Sequence, residues 1–409
     1  MIPGSTFRFK KFGQCLPPAG HRVSFAHIVF AIVGIISHLR RNGYYTVGIG
    51  KISHSADGLL YGYTEPMSEV YELPHSWNEL LFEPGKWGTG WNAFFGYADG
   101  ENRQSMDRQV KPYEMADVDD LGYPDGLIAQ LALDKLDEMA KKEQPFFMGV
   151  GFHKPHLPFN APKKYWDLYD RNDIPLSPSP FIPENVHNAS LHNSGEFNSY
   201  QSGDEKVSLN GPVSDEYART LRHAYFACVS YIDAQVGKLL DKLDELGLAD
   251  NTIVVIWGDH GWHLGDHLVW GKHSLFERAL KSALIINVPG TTQGEIVNKV
   301  VSSTDIYPTI IGLSGMDMPH QTDGKSLIPL LRDSDAQWEE AAYGYFRNGI
   351  SLRTDRYRLT KYFRNQQPVV ELYDHAVDPD ETVNIAEENP DILKELWPLW
   401  VKGNTGLYE

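Results

Sequence analysis

Two short stretches constrain the fold more than anything else in the chain. Residues Phe146–Gly151 (FFMGVG) and 252–257 (TIVVIW) have the length of a strand and are apolar almost throughout, with no polar residue at every second place. A strand with one wet face alternates; a strand of a parallel sheet is covered on both faces and reads as a continuous apolar run. Each stretch follows a segment of helical character. Residues 125–142 carry Leu127, Ile128, Leu131, Leu136 and Met139 at helical spacing. Residues 214–246 open on the cap signal Ser214-Asp215-Glu216 and close on Gly247. A helix over 26–41 stopped by Asn42-Gly43, a strand over 44–49, a strand over 283–288 stopped by Pro289-Gly290 and a short helix over 305–313 complete the series. The alternation predicts an α/β fold, a doubly wound and mostly parallel sheet flanked by helices, with 146–151 and 252–257 adjacent or nearly so in one sheet.

The pattern changes after about residue 335. Short strands over 342–346, 350–353, 357–362 and 369–373, then a helix over 391–402, predict a small antiparallel α+β subdomain. The expected organisation is an atypical or truncated segment over 1–40, an α/β core over 41–334 and a C-terminal subdomain over 335–409.

Charge narrows the partners. The 37 Lys and Arg residues face 54 Asp and Glu residues, a formal net charge of −17. Such a chain lacks the basic face that nucleic-acid binding needs, so an anionic ligand must be met by a local cluster of positive groups. The longest apolar run, 23–36, falls short of the ~20 residues that span a bilayer, so no transmembrane span is expected. Arg8, Lys10, Lys11 and Arg22 precede it, but no small-x-small cleavage pattern does, and a buried helix is expected there, not an export signal. Cys15 and Cys228 are the only cysteines; they make neither a disulfide framework nor a zinc site, and Cys228 sits in an apolar helical run as an inert thiol would.

Three predicted strand ends carry charged and imidazole groups: Lys51 with His54; His153 with Lys154 and His156; Asp259 and His260 with His263, His267, Lys272 and His273. Ligands of open α/β sheets bind beyond the carboxyl ends of the strands, so these loops are expected to converge. Asp259 and His260 offer oxygen and nitrogen to a cation, while Lys51, Lys272 and the histidines can hold an oxyanion and move protons. Each signal alone has a plainer reading. Asp-His-Gly after a strand also makes a turn, and Lys51-x-x-His54 also suits a solvated loop. Their conjunction favours a site.

Read together, the segments Asn42-Gly43-Tyr44-x-Thr46 with Gly50-Lys51-x-x-His54, Gly151-Phe152-His153-Lys154-Pro155-His156-Leu157-Pro158-Phe159, and Gly258-Asp259-His260-Gly261-Trp262-His263-Leu264-Gly265-Asp266-His267 with Trp270-Gly271-Lys272 form a series. It continues in Asp305-Ile306-Tyr307-Pro308-Thr309, Asp323-Gly324-Lys325-Ser326-Leu327 and Glu371-Leu372-Tyr373-Asp374-x-x-x-Asp378-Pro379-x-Glu381. In this order the chain resembles the type I sulfatases of the alkaline phosphatase superfamily, most of all those of the iduronate-2-sulfatase type. The resemblance implies hydrolysis of a sulfate ester on a sulfated sugar or glycosaminoglycan unit, with one calcium ion and a formylglycine made from cysteine. It places Asp259 and His260 in the metal shell and Lys51 and Lys272 on the sulfate oxygens. His54 would assist the nucleophile, and His153 would protonate the leaving alcohol. The first forty residues depart from that pattern. No Asp pair precedes residue 54, and Cys15-Leu16-Pro17-Pro18-Ala19 has Ala19 where the family's motif has Arg, so formylglycine is not supported by the local motif. Little or no turnover is therefore expected of the chain as it stands. Two other functions remain open on the same residues: a non-catalytic binder of sulfated glycans, and a phosphodiester or phosphonate hydrolase.

Overall fold

The computed structural model describes residues 34–292 and 294–406, with the short strand Ile2–Pro3. Cys15, Ala19 and the first half of the helix expected over 26–41 lie outside the described residues; the helix is seen as Ile35–Arg41.

The parallel core is built on Tyr45–Gly50, which pairs with Glu79–Leu81 on one edge and with Phe146–Gly151 on the other, all parallel. Tyr45 stands opposite Phe146 and Gly50 opposite Gly151, so the two strands end together. One face of this sheet, with Val47 and Ile49, is covered by Ile128, Ala132 and Met139 of the helix Pro124–Met139. Proline at the first helical position costs nothing, because that N–H has no partner in a helix anyway. The long helix Asp215–Glu245 starts where Ser214 Oγ accepts from the Tyr217 amide at 3.2 Å. Its Leu221, Ala224, Ala227, Cys228 and Tyr231 enter an apolar cluster with Phe159, Trp166 and Trp262. The fold is α/β with parallel strands flanked by helices. None of the described helices is long and apolar enough to cross a membrane.

One expectation fails. The second apolar strand begins later than the sequence suggested, at Val254, and Val254–Trp257 pairs antiparallel with Leu284–Asn287 in a sheet separate from that of Phe146–Gly151. Instead of sharing a sheet, the two strands line one cavity of about 2680 Å³. An apolar run tells that both faces are covered. It does not tell which strand supplies the hydrogen bonds at each edge, and here each strand has a single described neighbour.

The C-terminal region is a four-stranded antiparallel meander, Ala342–Phe346, Gly349–Arg353, Tyr357–Tyr362 and Val370–Asp374, in that order. Leu352, Leu359 and Leu372 stand side by side across it and are fully buried under Leu396 and Trp400 of the helix Pro390–Gly403. Trp400 Nε1 donates to Ile350 O at 3.1 Å. An ion-pair network ties the meander to the rest of the chain. Arg358, 1% exposed, bonds Glu381 at 2.5 Å and also Glu277, which Arg353 reaches at 3.3 Å. Glu277, His375 and Glu381 lie close enough together to hold a metal ion. Arg358 bridges both carboxylates and Arg353 brings the second positive charge, so the two arginines balance the two acids, which is the plainer account of the cluster.

Candidate functional site

The site is built at the carboxyl ends of the strands, and glycine sets its spacing. A Cβ on Gly151 would collide with the carbonyl of Lys51, and one on Gly50, where φ is +75°, would collide with the carbonyl of Gly151. The two chains therefore leave the sheet in backbone contact, tied by Lys51 N to Gly151 O at 2.8 Å. Lys51 Nζ reaches Ser53 O at 3.0 Å. Burial lowers its pKa, while the charges of Asp259 and Glu72 oppose the shift. Glu72 accepts from Ser55 N and Oγ, at 3.0 and 2.6 Å, and so fixes the loop that carries His54. The His54 ring meets Trp91 edge-on with 6.3 Å between centroids.

His153 is held from behind. Asp125, fully buried in the first turn of its helix, accepts from the amide of His153 at 2.5 Å and from that of Lys154 at 3.3 Å. Neither ring nitrogen of His153 has a partner in hydrogen-bond geometry, although the Ala56 backbone lies near. Burial first, then the charges of Lys154 and Lys51, hold this ring well below its ordinary pKa. Phe94 packs against both His153 and His156, at 5.2 and 4.7 Å between rings.

Lys272 joins the site through His156. His156 Nδ1 lies 2.8 Å from Leu157 O, an atom that can only accept, so Nδ1 carries the proton. In the neutral ring Nε2 accepts from Lys272 Nζ at 2.9 Å; once the ring is protonated, Nε2 donates instead to Glu196 Oε1, also at 2.9 Å. Burial, then the Lys272 charge, takes His156 down to about 4. Glu196 completes the group, 2.9 Å from His156 Nε2 and 3.8 Å from Lys272 Nζ. Burial alone would raise the Glu196 pKa, but His156, Lys272 and His273 outweigh it and the carboxyl is held below its usual range. Lys272 Nζ also stands 5.4 Å from the centre of the Trp262 ring.

Of the six residues to which the resemblance gives roles, Lys51, His54, His153, Asp259 and His260 line the large cavity. Lys272 is not in its wall and reaches the group through His156, which is. Asp259 and His260 face each other at 3.8 Å, and His260 Nδ1 is taken by Gly261 O at 2.8 Å, which leaves Nε2 for a ligand. Calcium takes six to eight oxygens. One carboxylate and one imidazole do not make that shell, and the described residues at this site do not fit a calcium ion by themselves. Glu196, Asp125 and Phe94 were not singled out from the sequence. Glu196 lies in a polar loop with no motif around it, and Asp125 reads as an ordinary acidic group of a first helical turn.

Two family models match. The one described as Sulfatase covers residues 30–316, and the one described as N-sulphoglucosamine sulphohydrolase, C-terminal, covers residues 265–398. The chain belongs to the sulfatase family. It is similar to the iduronate 2-sulfatase of Mus musculus, 30% identical over 315 residues, which cover 70% of this chain and 54% of that protein. The Homo sapiens iduronate 2-sulfatase is 30% identical over 344 residues, 74% of this chain and 60% of that protein. The chain thus spans between 54% and 60% of these two relatives. Among solved structures it is similar to a phosphonate monoester hydrolase from Silicibacter pomeroyi, with a TM-score of 0.69 at 22% identity, covering 91% of this chain and 79% of that one. A protein solved in complex with its substrate D-glucosamine-2-N,6-O-disulfate gives 0.63 at 20% identity, covering 90% and 81%. These two show a shared fold.

Proposed function

We propose that this chain carries the anion-holding and proton-transfer groups of a sulfuric ester hydrolase of the iduronate-2-sulfatase type, acting on a sulfated sugar or glycosaminoglycan unit. The observation that carries the reading is the gathering of Lys51, His153 and the Lys272–His156 pair at neighbouring strand ends. Lys51 and Lys272 are compact cations suited to sulfate oxygens, and Phe94 and Trp262 offer apolar faces to a sugar ring. Hydrolysis breaks the S–O bond to the sugar; the departing oxygen keeps the electron pair and needs a proton, and water supplies the new oxygen on sulfur. A neutral His153 cannot give that proton. Burial comes first in holding His153 neutral and the charges of Lys154 and Lys51 add to it; an anionic ester beside Lys51 offsets the charge part, so the pKa rises as substrate binds and the ring can load a proton for the leaving alcohol. His54 is assigned to assist the attacking group. Asp259 and His260 are assigned to the cation side, and no step is routed through a cation because their donor set is incomplete.

The same reading expects recognition without fast turnover. Cys228, the cysteine among the described residues, is buried and pushed up to about 12 by that burial, so it is no nucleophile. The Cys15 motif lacks its arginine at Ala19. Calorimetric binding of D-glucosamine-2-N,6-O-disulfate should weaken at least about tenfold in Lys51→Ala and Lys272→Ala, as loss of a charge-assisted hydrogen bond requires. Unchanged binding in both would overturn the site. Release of sulfate from a chromogenic ester at a calcium-dependent rate well above that of His153→Ala would overturn the expected loss of turnover.

A further inference from the structure

The tip of the first hairpin of the C-terminal meander reaches the group around Lys272. Ala342–Phe346 turns into Gly349–Arg353 through Arg347 and Asn348 alone, and both have positive φ, +41° and +58°. Such two-residue turns favour asparagine and glycine, because a bulkier side chain is strained there. Asn348 fits that rule and Arg347 does not. The tip is held firmly all the same. Asn348 O accepts from Phe363 N at 2.6 Å, and a Cβ on Gly349 would come within 2.6 Å of Leu275, which follows Lys272 in the same loop. Side chains continue the contact. The Arg347 guanidinium stands 5.3 Å from the centre of the Phe346 ring, and that ring lies 5.8 Å from His273. His273 Nδ1 and Lys272 Nζ flank one oxygen of Glu196, at 4.0 and 3.8 Å, and His192 backs the His273 ring edge-on at 5.7 Å.

Positive charge is in surplus here, in a chain whose net charge is −17. Glu196 is already engaged by His156 and Lys272. Arg347 is exposed and makes no ion pair among the described residues, and neither ring nitrogen of His273 is hydrogen-bonded. The charge of Arg347 is felt at His192 and His273, where it adds to the effect of burial in holding both rings neutral. A cation kept without a partner on a strained turn is explained when a ligand supplies the negative charge. We propose that Arg347, with His273, forms a second anion subsite beside the sulfate-holding Lys272, so that the saccharide bound here carries a second anionic group besides the sulfate to be released. The inference rests on the hydrolase reading of the Lys51 and Lys272 site. The planar fork of an arginine suits a carboxylate or a sulfate equally, each through two parallel hydrogen bonds. The C-terminal subdomain would thereby take part in the choice of substrate.

The test is calorimetric binding to the full chain of two pairs of sugars that differ by one negative charge. D-glucosamine-2-N,6-O-disulfate is set against N-acetyl-D-glucosamine 6-O-sulfate, and 2-O-sulfated glucuronate against its methyl ester. The doubly charged sugar should bind at least about tenfold tighter in one pair or both, and the pair that shows it tells whether the second group is a sulfate or a carboxylate. Arg347→Asn suits the positive φ and should leave the Tm unchanged or higher. It should cut the advantage to about twofold or less and leave the singly charged sugars as they were. No advantage in either pair, an advantage that survives Arg347→Asn, or an equal loss for both members of a pair would overturn the inference while Lys51→Ala still weakens every sugar. If Lys51→Ala and Lys272→Ala leave all four sugars unaffected, the hydrolase reading falls and the subsite falls with it.

Discussion

Leu352 and Ile285 are both aliphatic residues in the interior of antiparallel β-strands, yet the first is fully buried and the second is 59% exposed. The meander of Leu352 takes each strand's partner from the next few residues, and its covering helix follows directly. The α/β core takes its partners from far away: Tyr45 pairs with Phe146, roughly a hundred positions on. A region whose contacts are local closes itself. One whose contacts are remote has edges with no described neighbour, as the partly buried strands around the large cavity do.

The junction between the regions should give the largest effect. Arg358→Met removes the cation that bridges Glu277 and Glu381 and leaves Arg353 alone against two buried acids, and should cost about 3–5 kcal/mol in urea unfolding, as removal of one member of a buried ion group does. Adding Glu277→Gln and Glu381→Gln should recover part of the loss; no recovery would mean that the arginine matters for its packing alone. Next come the two aliphatic residues. Leu352→Ala should cost about 2–5 kcal/mol and Ile285→Ala less than about 1. Equal losses would show that the core around Ile285 is as closed as the meander.

The two regions should also titrate with opposite sign. Burial takes His156 and His192 to about 4 and His263 to about 3, so the unfolded chain accepts protons first as pH falls. The stability from these neutral rings is complete above their unfolded pKa of about 6.5 and is lost progressively toward pH 4. In the meander burial pushes Glu371 up to about 7, so its folded form holds a proton longer and works against that loss over part of the window. Three rings against one carboxyl leave a net loss on the order of 2 kcal/mol between pH 7 and 5, readable as a falling Tm. A Tm that rises on acidification would show that the meander carboxyl dominates. The smallest effect concerns the site itself. Glu196→Gln removes a negative charge beside Lys272, so inorganic sulfate should bind a few-fold tighter, roughly 1 kcal/mol. Weaker binding would instead make Glu196 the group that keeps Lys272 in position.

What could be read from the sequence followed the same division. Every strand and helix of the meander was legible within a residue or so, because turns, alternation and pairing partners are all local there. In the core the longer elements were legible, but the short strand Glu79–Leu81, in a stretch that reads as loop, was not, and neither was the pairing: nothing in TIVVIW says whether its edge meets Phe146–Gly151 or Leu284–Asn287. That Lys51, His54, His153, Asp259 and His260 share one cavity could be expected because the rule that ligands bind at strand carboxyl ends needs only the strand positions. Glu196 could not, since a lone acid in a polar loop carries no sign of the imidazole it will meet. Asp125 was hidden for a different reason: its partners are backbone amides, and those leave no trace in the side-chain pattern.

The glycines at the ends of the first two core strands bear on how the site tolerates change. Because the main chains touch at Gly50 and Gly151, the two loops that carry Lys51 and His153 are anchored to each other backbone to backbone, while Asp125 and Glu72 hold each loop from its own side. Substitutions elsewhere in the core can shift side chains or soften the packing without altering that anchorage. The spacing between the loop of Lys51 and the loop of His153 is therefore set first where the main chains touch, and a side chain at either glycine would force the two strand ends apart.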